Sequence, residues 1–491
     1  MISTPSVKKN YILSILYEIL CIITPFITAP YVSRVLGAEQ IGVNSFVHSM
    51  QAYFCMVATL GTAAYGKREI ARNRDNAYER TRLFWEIELL SMLTSGIAIL
   101  AWIIFIICSV QYKIYYLVLT IGIFDKMLAI GWFYGGIEQY KYTVTRNTIV
   151  KITGIVLVFV FVHSREDLLL FILINSLCSF LGAASMWIPL KKFLIKISFK
   201  ELNIWPHFKQ TLVYFIPTIA TSLYSVLDKT LIGLITHEES QNGYYEQANK
   251  IINIIKVFTY GALNGVVGAR ISYLFAQNKI EEIKQRIEKS IDFIMLIGIG
   301  SCAGMYGIAK RFVPFFFGPG YDQVVYLLYI LLPIILIIGI NTSLSGFYYI
   351  PIGKRLQSAM YIIFGAIFNL IATIILIPRF KSYGAAVGSI IAESVINFFY
   401  FSRCEGFYTV KQLALSVYKK FIAAIIMFVY LFFMDKYLNL QNWLVLAIQV
   451  IGGASIYFVI LLILRDKAIK TLLELKIFDR FRRKKIEDSR N

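Results

Sequence analysis

Apolar residues run in long uninterrupted stretches along the chain, and polar residues return at short, regular breaks. Runs long enough to cross about 30 Å of hydrocarbon as α-helix fall near residues 11–33, 42–65, 83–108, 114–137, 148–163, 168–190 and 210–235. The series continues near 247–275, 291–309, 323–348, 357–378, 384–404, 420–437 and 442–464. Fourteen such runs predict an all-α integral membrane protein, because in lipid a helix satisfies its backbone polar groups within one segment. The first run passes through Pro25 and Pro30 without a small-residue cleavage site, so it reads as a retained span rather than a removed leader.

Composition agrees with the pattern. Hydrophobic residues make up 58% of the 491 positions and charged residues 16%, against about a quarter charged in a soluble domain. The net charge of +20 would suggest nucleic-acid binding in a soluble protein, but here it follows the loops. Breaks on the side of the amino terminus, with the tail, hold 35 Lys and Arg, and the opposite breaks hold 8. By the positive-inside rule both termini are expected to face the cytoplasm, and the excess charge meets an anionic leaflet, so no nucleic acid is required. The tail carries Arg480, Arg482, Arg483, Lys484 and Lys485 after an apolar-basic stretch, Ile469 to Phe478, that suits an anchor on the membrane surface.

An internal echo suggests two halves. Val35, Leu36 and Gly37 followed by Gly42, Val43 and Asn44 join the first two spans; Leu231, Ile232 and Gly233 followed by Gly243, Tyr244 and Tyr245 join the seventh and eighth. The expected organisation is a six-helix lobe over 1–209, a second over 210–419, two additional spans over 420–464 and a basic cytoplasmic tail over 465–491. Six cysteines lie singly in or beside apolar runs, without metal-ligand spacing. GxSxG, HExxH, Walker and kinase patterns are all absent from the sequence, so no enzyme and no metal or cofactor site is expected.

Ionisable groups inside spans are costly and face a bundle interior or an aqueous cavity. The basic ones are Lys126, Lys151, Lys229, Lys250, Lys256 and Arg270; the deep acidic ones are Glu18, Asp125, Asp228 and Glu393. Three- and four-residue steps place Tyr11, Ser14, Glu18 and Cys21 on one face of the first span, and Asn44, His48, Gln51 and Cys55 on one face of the second. The seventh span lines up Tyr214, Thr218, Thr221, Ser225 and Asp228, and the eighth lines up Lys250, Asn253, Tyr260 and Asn264. Such faces suit a hydrated cleft in which cations meet phosphate and neutral polar groups meet sugar hydroxyls. The plainer alternatives are that Asp125 with Lys126 and Asp228 with Lys229 pair across helices to lock packing, that Lys151 and Lys256 snorkel, and that His48 is a packed hydrogen-bonding residue. Adjacent residues point about 100° apart on a helix, so neither Asp–Lys pair is expected to close on itself.

Four segments carry a resemblance to a known family: YVSRVLGAEQIG from Tyr31 to Gly42, GIEQYK from Gly136 to Lys141, DKTLIG from Asp228 with GYYEQANKI from Gly243, and PRFKSYGAAVG from Pro378 leading to Glu393. In order and spacing the chain resembles the oligosaccharide-repeat-unit flippases, a polysaccharide-transporter branch of the superfamily that includes the MATE proteins and the lipid II flippase. The resemblance implies a MATE-like fold of two six-helix lobes plus two C-terminal helices, alternating access, and an undecaprenyl-pyrophosphate-linked glycan as cargo for capsule or O-antigen assembly. Membrane lipids and the polysaccharide polymerase of the same pathway are the further partners it implies, and Na+ or H+ the coupling ion. The substrate-binding candidates are Arg34, Lys126, Lys229, Lys250, Arg270, Asn253 and Asn264; those for ion coupling or gating are Glu18, Asp228, Glu246 and Glu393. Gly135 stands where the family often has Gln, so that junction is given no substrate contact. Competing readings are a drug/cation antiporter on the same fold, which calls for an acidic cleft, and a membrane polymerase or glycosyltransferase, which calls for a large outer loop.

Overall fold

The computed structural model describes residues 7–261, 271, 274–275, 277, 279–438 and 440–474; of 7–18, 22, 216–225, 261 and 471–474 it describes the backbone alone. Among these residues the protein is all helical, and it is a multi-pass membrane protein with ten helices long and apolar enough to cross a bilayer. It folds as two compact units, residues 1–246 and 247–491.

In the first unit α1 (Val7–Thr59) holds the first two spans. They are joined at Gly37, whose φ of 75° and ψ of 170° break the helix in a conformation that costs glycine little. The helices α2 (Thr62–Arg72), α3 (Ala77–Cys108), α4 (Lys113–Met127), α5 (Gly131–Gly136), α6 (Tyr140–Phe161), α7 (Leu168–Ser185), α8 (Trp187–Leu190) and α9 (Trp205–Thr236) follow. The unit ends inside α10 (Glu239–Lys256). That boundary falls beyond 209 because α9 packs on α1, α2 and α3.

Span edges follow local chemistry. Helix α3 starts six residues before the expected span because the Asn76 side chain accepts from the amides of Tyr78 and Glu79, capping two otherwise orphaned donors. The expected span 114–137 is two helices, α4 and α5, separated by Leu128–Ile130. Loops predicted on one side gather at one end of the unit. There the Tyr31 hydroxyl donates to the Val162 carbonyl at 2.6 Å and the Tyr112 hydroxyl to Glu239 Oε1 at 2.6 Å. At the other end Arg74 pairs with Glu138 at 3.1 Å and Arg80 donates to the Phe193 carbonyl at 2.8 Å. An aromatic core of Phe84, Trp132, Phe133, Tyr134 and Phe193 fills this end.

The second unit completes α10, which ends in a π-helical turn at Val257–Gly261. It continues with α11 (Ile280–Phe317), α12 (Asp322–Leu331), α13 (Pro333–Leu344), α14 (Arg355–Ser402), α15 (Val410–Tyr437), α16 (Asn442–Ile463) and α17 (Lys467–Glu474). Helix α14 carries two expected spans, broken at Lys381. Its first half shows the membrane pattern plainly. Ile363, Ile367, Ile371, Ile374 and Ile375 are exposed, while Gly365, Asn369, Thr373 and Ile377 are buried. Lipid takes the large apolar groups and small or polar residues let the helices approach. The breaks in α1 and α14 bring the ten qualifying helices to twelve spans. The other two expected spans are α9 and the segment from α10 onward, both partly outside the fully described residues.

Candidate functional site

Polar residues of three helices meet inside the first unit. On α9, Asp228 and Lys229 follow each other and point to different partners on α10. The Tyr245 hydroxyl donates to Asp228 Oδ2 at 2.6 Å, and Lys229 Nζ lies 2.6 Å from Glu246 Oε2. Helix α1 supplies Ser45, whose hydroxyl donates to Glu246 Oε2 at 3.2 Å. His48, one turn further on, lies within electrostatic reach of both Glu246 and Lys229. Below them the Thr230 hydroxyl donates to Ser49 Oγ at 3.0 Å and the Tyr53 hydroxyl to Thr230 at 3.0 Å. Asn242 ties the α9–α10 turn by donating to the Lys229 carbonyl at 2.9 Å. Asp228 is 2% exposed, whereas the side chains of Lys229 and Glu246 keep 28% and 19%. The acid–base pair is therefore partly exposed while the Asp228 carboxylate is buried.

The adjacent Asp228 and Lys229 point to separate partners in this arrangement, in keeping with the helical period. Asp125 and Lys126 behave differently: Lys126 Nζ lies 2.8 Å from Asp125 Oδ2, with Arg146 of α6 at 3.8 Å from Oδ1. Lys126 is in the last turn of α4, which ends at Met127. It belongs to this separate cluster rather than to the group around Lys229. Lys151 donates to Cys21 Sγ at 3.2 Å, and the Gln51 amide donates to the Leu119 carbonyl at 2.6 Å, so Gln51 fixes packing between α1 and α4.

The remaining candidates are dispersed. Arg34 is exposed just before the Gly37 break, Lys250 is half-buried one turn beyond Glu246, and Asn253 is exposed. The side chain of Glu18, and both Asn264 and Arg270, lie outside the described residues. In the second unit the Asn341 amide donates to Glu393 Oε2 at 2.8 Å and Asn397 donates to Asn341 Oδ1 at 2.9 Å. Lys256 and Tyr260 lie within electrostatic reach of that carboxylate. Sequence reasoning missed Ser45, Tyr245 and Asn341. Asn341 was findable as a polar residue on an apolar helix and Tyr245 from its place in the GYYEQANKI segment; Ser45 was not, because serine is common on helices through its bond to the preceding turn. Among the described residues no three His, Cys, Asp or Glu come close enough to hold a metal ion.

A sequence model of the polysaccharide biosynthesis protein family matches residues 7–275, more than half the chain. The chain belongs to that family. Among this family member's relatives is a candidate O-antigen transporter of Shigella dysenteriae, 24% identical over 400 residues, covering 80% of this chain and 98% of the relative. A candidate low-salt glycan biosynthesis flippase of Haloferax volcanii is 23% identical over 464 residues, covering 92% of this chain and 95% of the relative. The lipid II flippase MurJ in an inward closed conformation has the same fold, with a TM-score of 0.73 at 15% identity, over 93% of this chain and 99% of that one.

Proposed function

We propose that the protein carries an undecaprenyl-pyrophosphate-linked oligosaccharide outward across the cytoplasmic membrane by alternating access, supplying repeat units for a surface polysaccharide of the capsule or O-antigen type. One observation carries the reading: a partly exposed ammonium, Lys229, paired with Glu246, whose carboxylate also accepts from Ser45, where three helices meet. An ionisable group inside a span marks a functional site, and pyrophosphate, the anion that joins a lipid to a glycan, is a fitting partner for an ammonium. The names of the two relatives support a glycan cargo.

The pairing suggests how an ion gradient is used. Glu246 neutralises Lys229, so a pyrophosphate must displace that carboxylate to reach the ammonium. A proton or Na+ taken up at Glu246 removes the competitor and frees Lys229 for phosphate; loss of the ion restores the internal pair and expels the cargo. Asp228, with Tyr245 as its donor, orients the turn, and Glu393 is the corresponding carboxylate of the second unit. Sugars meet hydroxyls and amides, and the lipid tail stays in the bilayer. The protein moves its cargo without a bond being made or broken, and needs no cofactor.

The experiment is complementation of a flippase-deletion strain supplied with matched glycan-assembly genes. Restored surface polymer, with wild-type accumulation of the protein in the membrane, is the expected result. Failure across every matched glycan pathway would overturn the reading.

A further inference from the structure

The internal echo noted in the sequence has a physical counterpart. A β-carbon built on Gly42 would lie 1.7 Å from the Glu239 carbonyl oxygen, and one built on Gly243 would lie 1.9 Å from the Ala38 carbonyl oxygen. Each glycine thus meets the carbonyl four residues before the other. The reciprocity continues one turn on, because Ser45 and Glu246, each three residues past its glycine, bond to each other at 3.2 Å. Two equivalent helical turns therefore cross backbone to backbone about a local two-fold axis, with no side chain between them. Such a crossing admits only glycine at both positions, since real β-carbons essentially never approach within 3.0 Å of a neighbour.

The place of the crossing gives it a task. It lies immediately beyond Lys229, Glu246 and His48 at the end of the unit that holds Tyr112, Glu239 and the loops assigned outside by charge. Asn242, fully buried, pins the α9–α10 turn just beside it through the Lys229 carbonyl. The contact of residues 38–42 with residues 239–243 therefore lies between the polar cluster and this end. A backbone contact without interlocking side chains separates without rotamer changes and re-forms in one register.

We infer that Gly42 and Gly243 are the paired gating residues of the outer side: their backbone crossing seals the polar cluster and must part for cargo to leave. The inference rests on the transport reading above. In a background without the six native cysteines, Ser45→Cys reports access from outside to a membrane-impermeant maleimide. Gly42→Ala and Gly243→Ala should each raise its labelling rate about tenfold, because a β-carbon at this distance overpacks the crossing, and should slow polymer export. Gly96→Ala, at a position with nothing within 4 Å, should leave labelling at the parent rate. A second arm keeps both glycines: a short bismaleimide joining Ala38→Cys to Glu239→Cys should abolish export, while each single-cysteine protein treated alike keeps it. Unchanged labelling in both alanine variants, or continued export by the cross-linked protein, would overturn the gate. Failure of the wild-type chain, with Ser45 and the native cysteines in place, to export at all would instead count against the transport reading.

Discussion

Lys229 and Glu246 form the point at which a structural role and a transport role have to be separated. Removing one charge of a partly buried pair leaves the other uncompensated, at a cost of up to about 3–5 kcal/mol where burial is deep, so a loss of export in Lys229→Ala alone has two explanations. The double variant Lys229→Ala/Glu246→Gln resolves them. If Lys229 holds phosphate, the double variant regains the thermal stability lost by the single one and still fails to export. Recovery of export together with stability would reduce the pair to a packing lock. Surface polymer and melting of the purified protein in detergent are the two readouts.

Among the elements, the two C-terminal spans are held by chemistry that their apolar sequences do not announce. Lys420 of α15 is fully buried, with Nζ 2.6 Å from Asp292 Oδ1 of α11 and 3.0 Å from Asp466 Oδ2 beyond α16, and it donates to the Ser416 carbonyl at 2.7 Å. Tyr457 of α16 adds a bond to the Leu296 carbonyl of α11 at 2.8 Å. Lys420→Met removes the ammonium and leaves two carboxylates facing each other, which should cost about 3–5 kcal/mol. Lower melting temperature in detergent and faster proteolysis after residue 409 are the expected results, and wild-type melting would show the triad to be energetically idle. In the sequence Lys420 stands at the edge of the span expected over 420–437, among the 35 basic residues assigned to the breaks on the side of the amino terminus. Its burial could not be read there, because α15 begins at Val410, ten residues before the expected edge, under a Thr409–Gln412 capping box that extends the helix past the hydrophobic run.

For the molecule as a whole, charge and hydropathy set the topology. Phosphatase fusions that are active only outside should be active at Gly320 and inactive at Gly353 and Gly406, following the 35-to-8 division of Lys and Arg; the reverse pattern would invert the orientation. The spans were legible from sequence because solvent selects them: about 20 apolar residues are needed wherever hydrocarbon must be crossed, and the helical period sorts polar residues onto faces without reference to any neighbour. The same local rules made Asp228 and Lys229 stand out and gave the echo of Gly42 in Gly243. They could not say that Lys229 and Ser45 both meet Glu246, or that the two glycines touch. Those contacts join residues as far as 201 positions apart. They depend on how close two backbones come, which is a property of both helices together and is written in neither one alone.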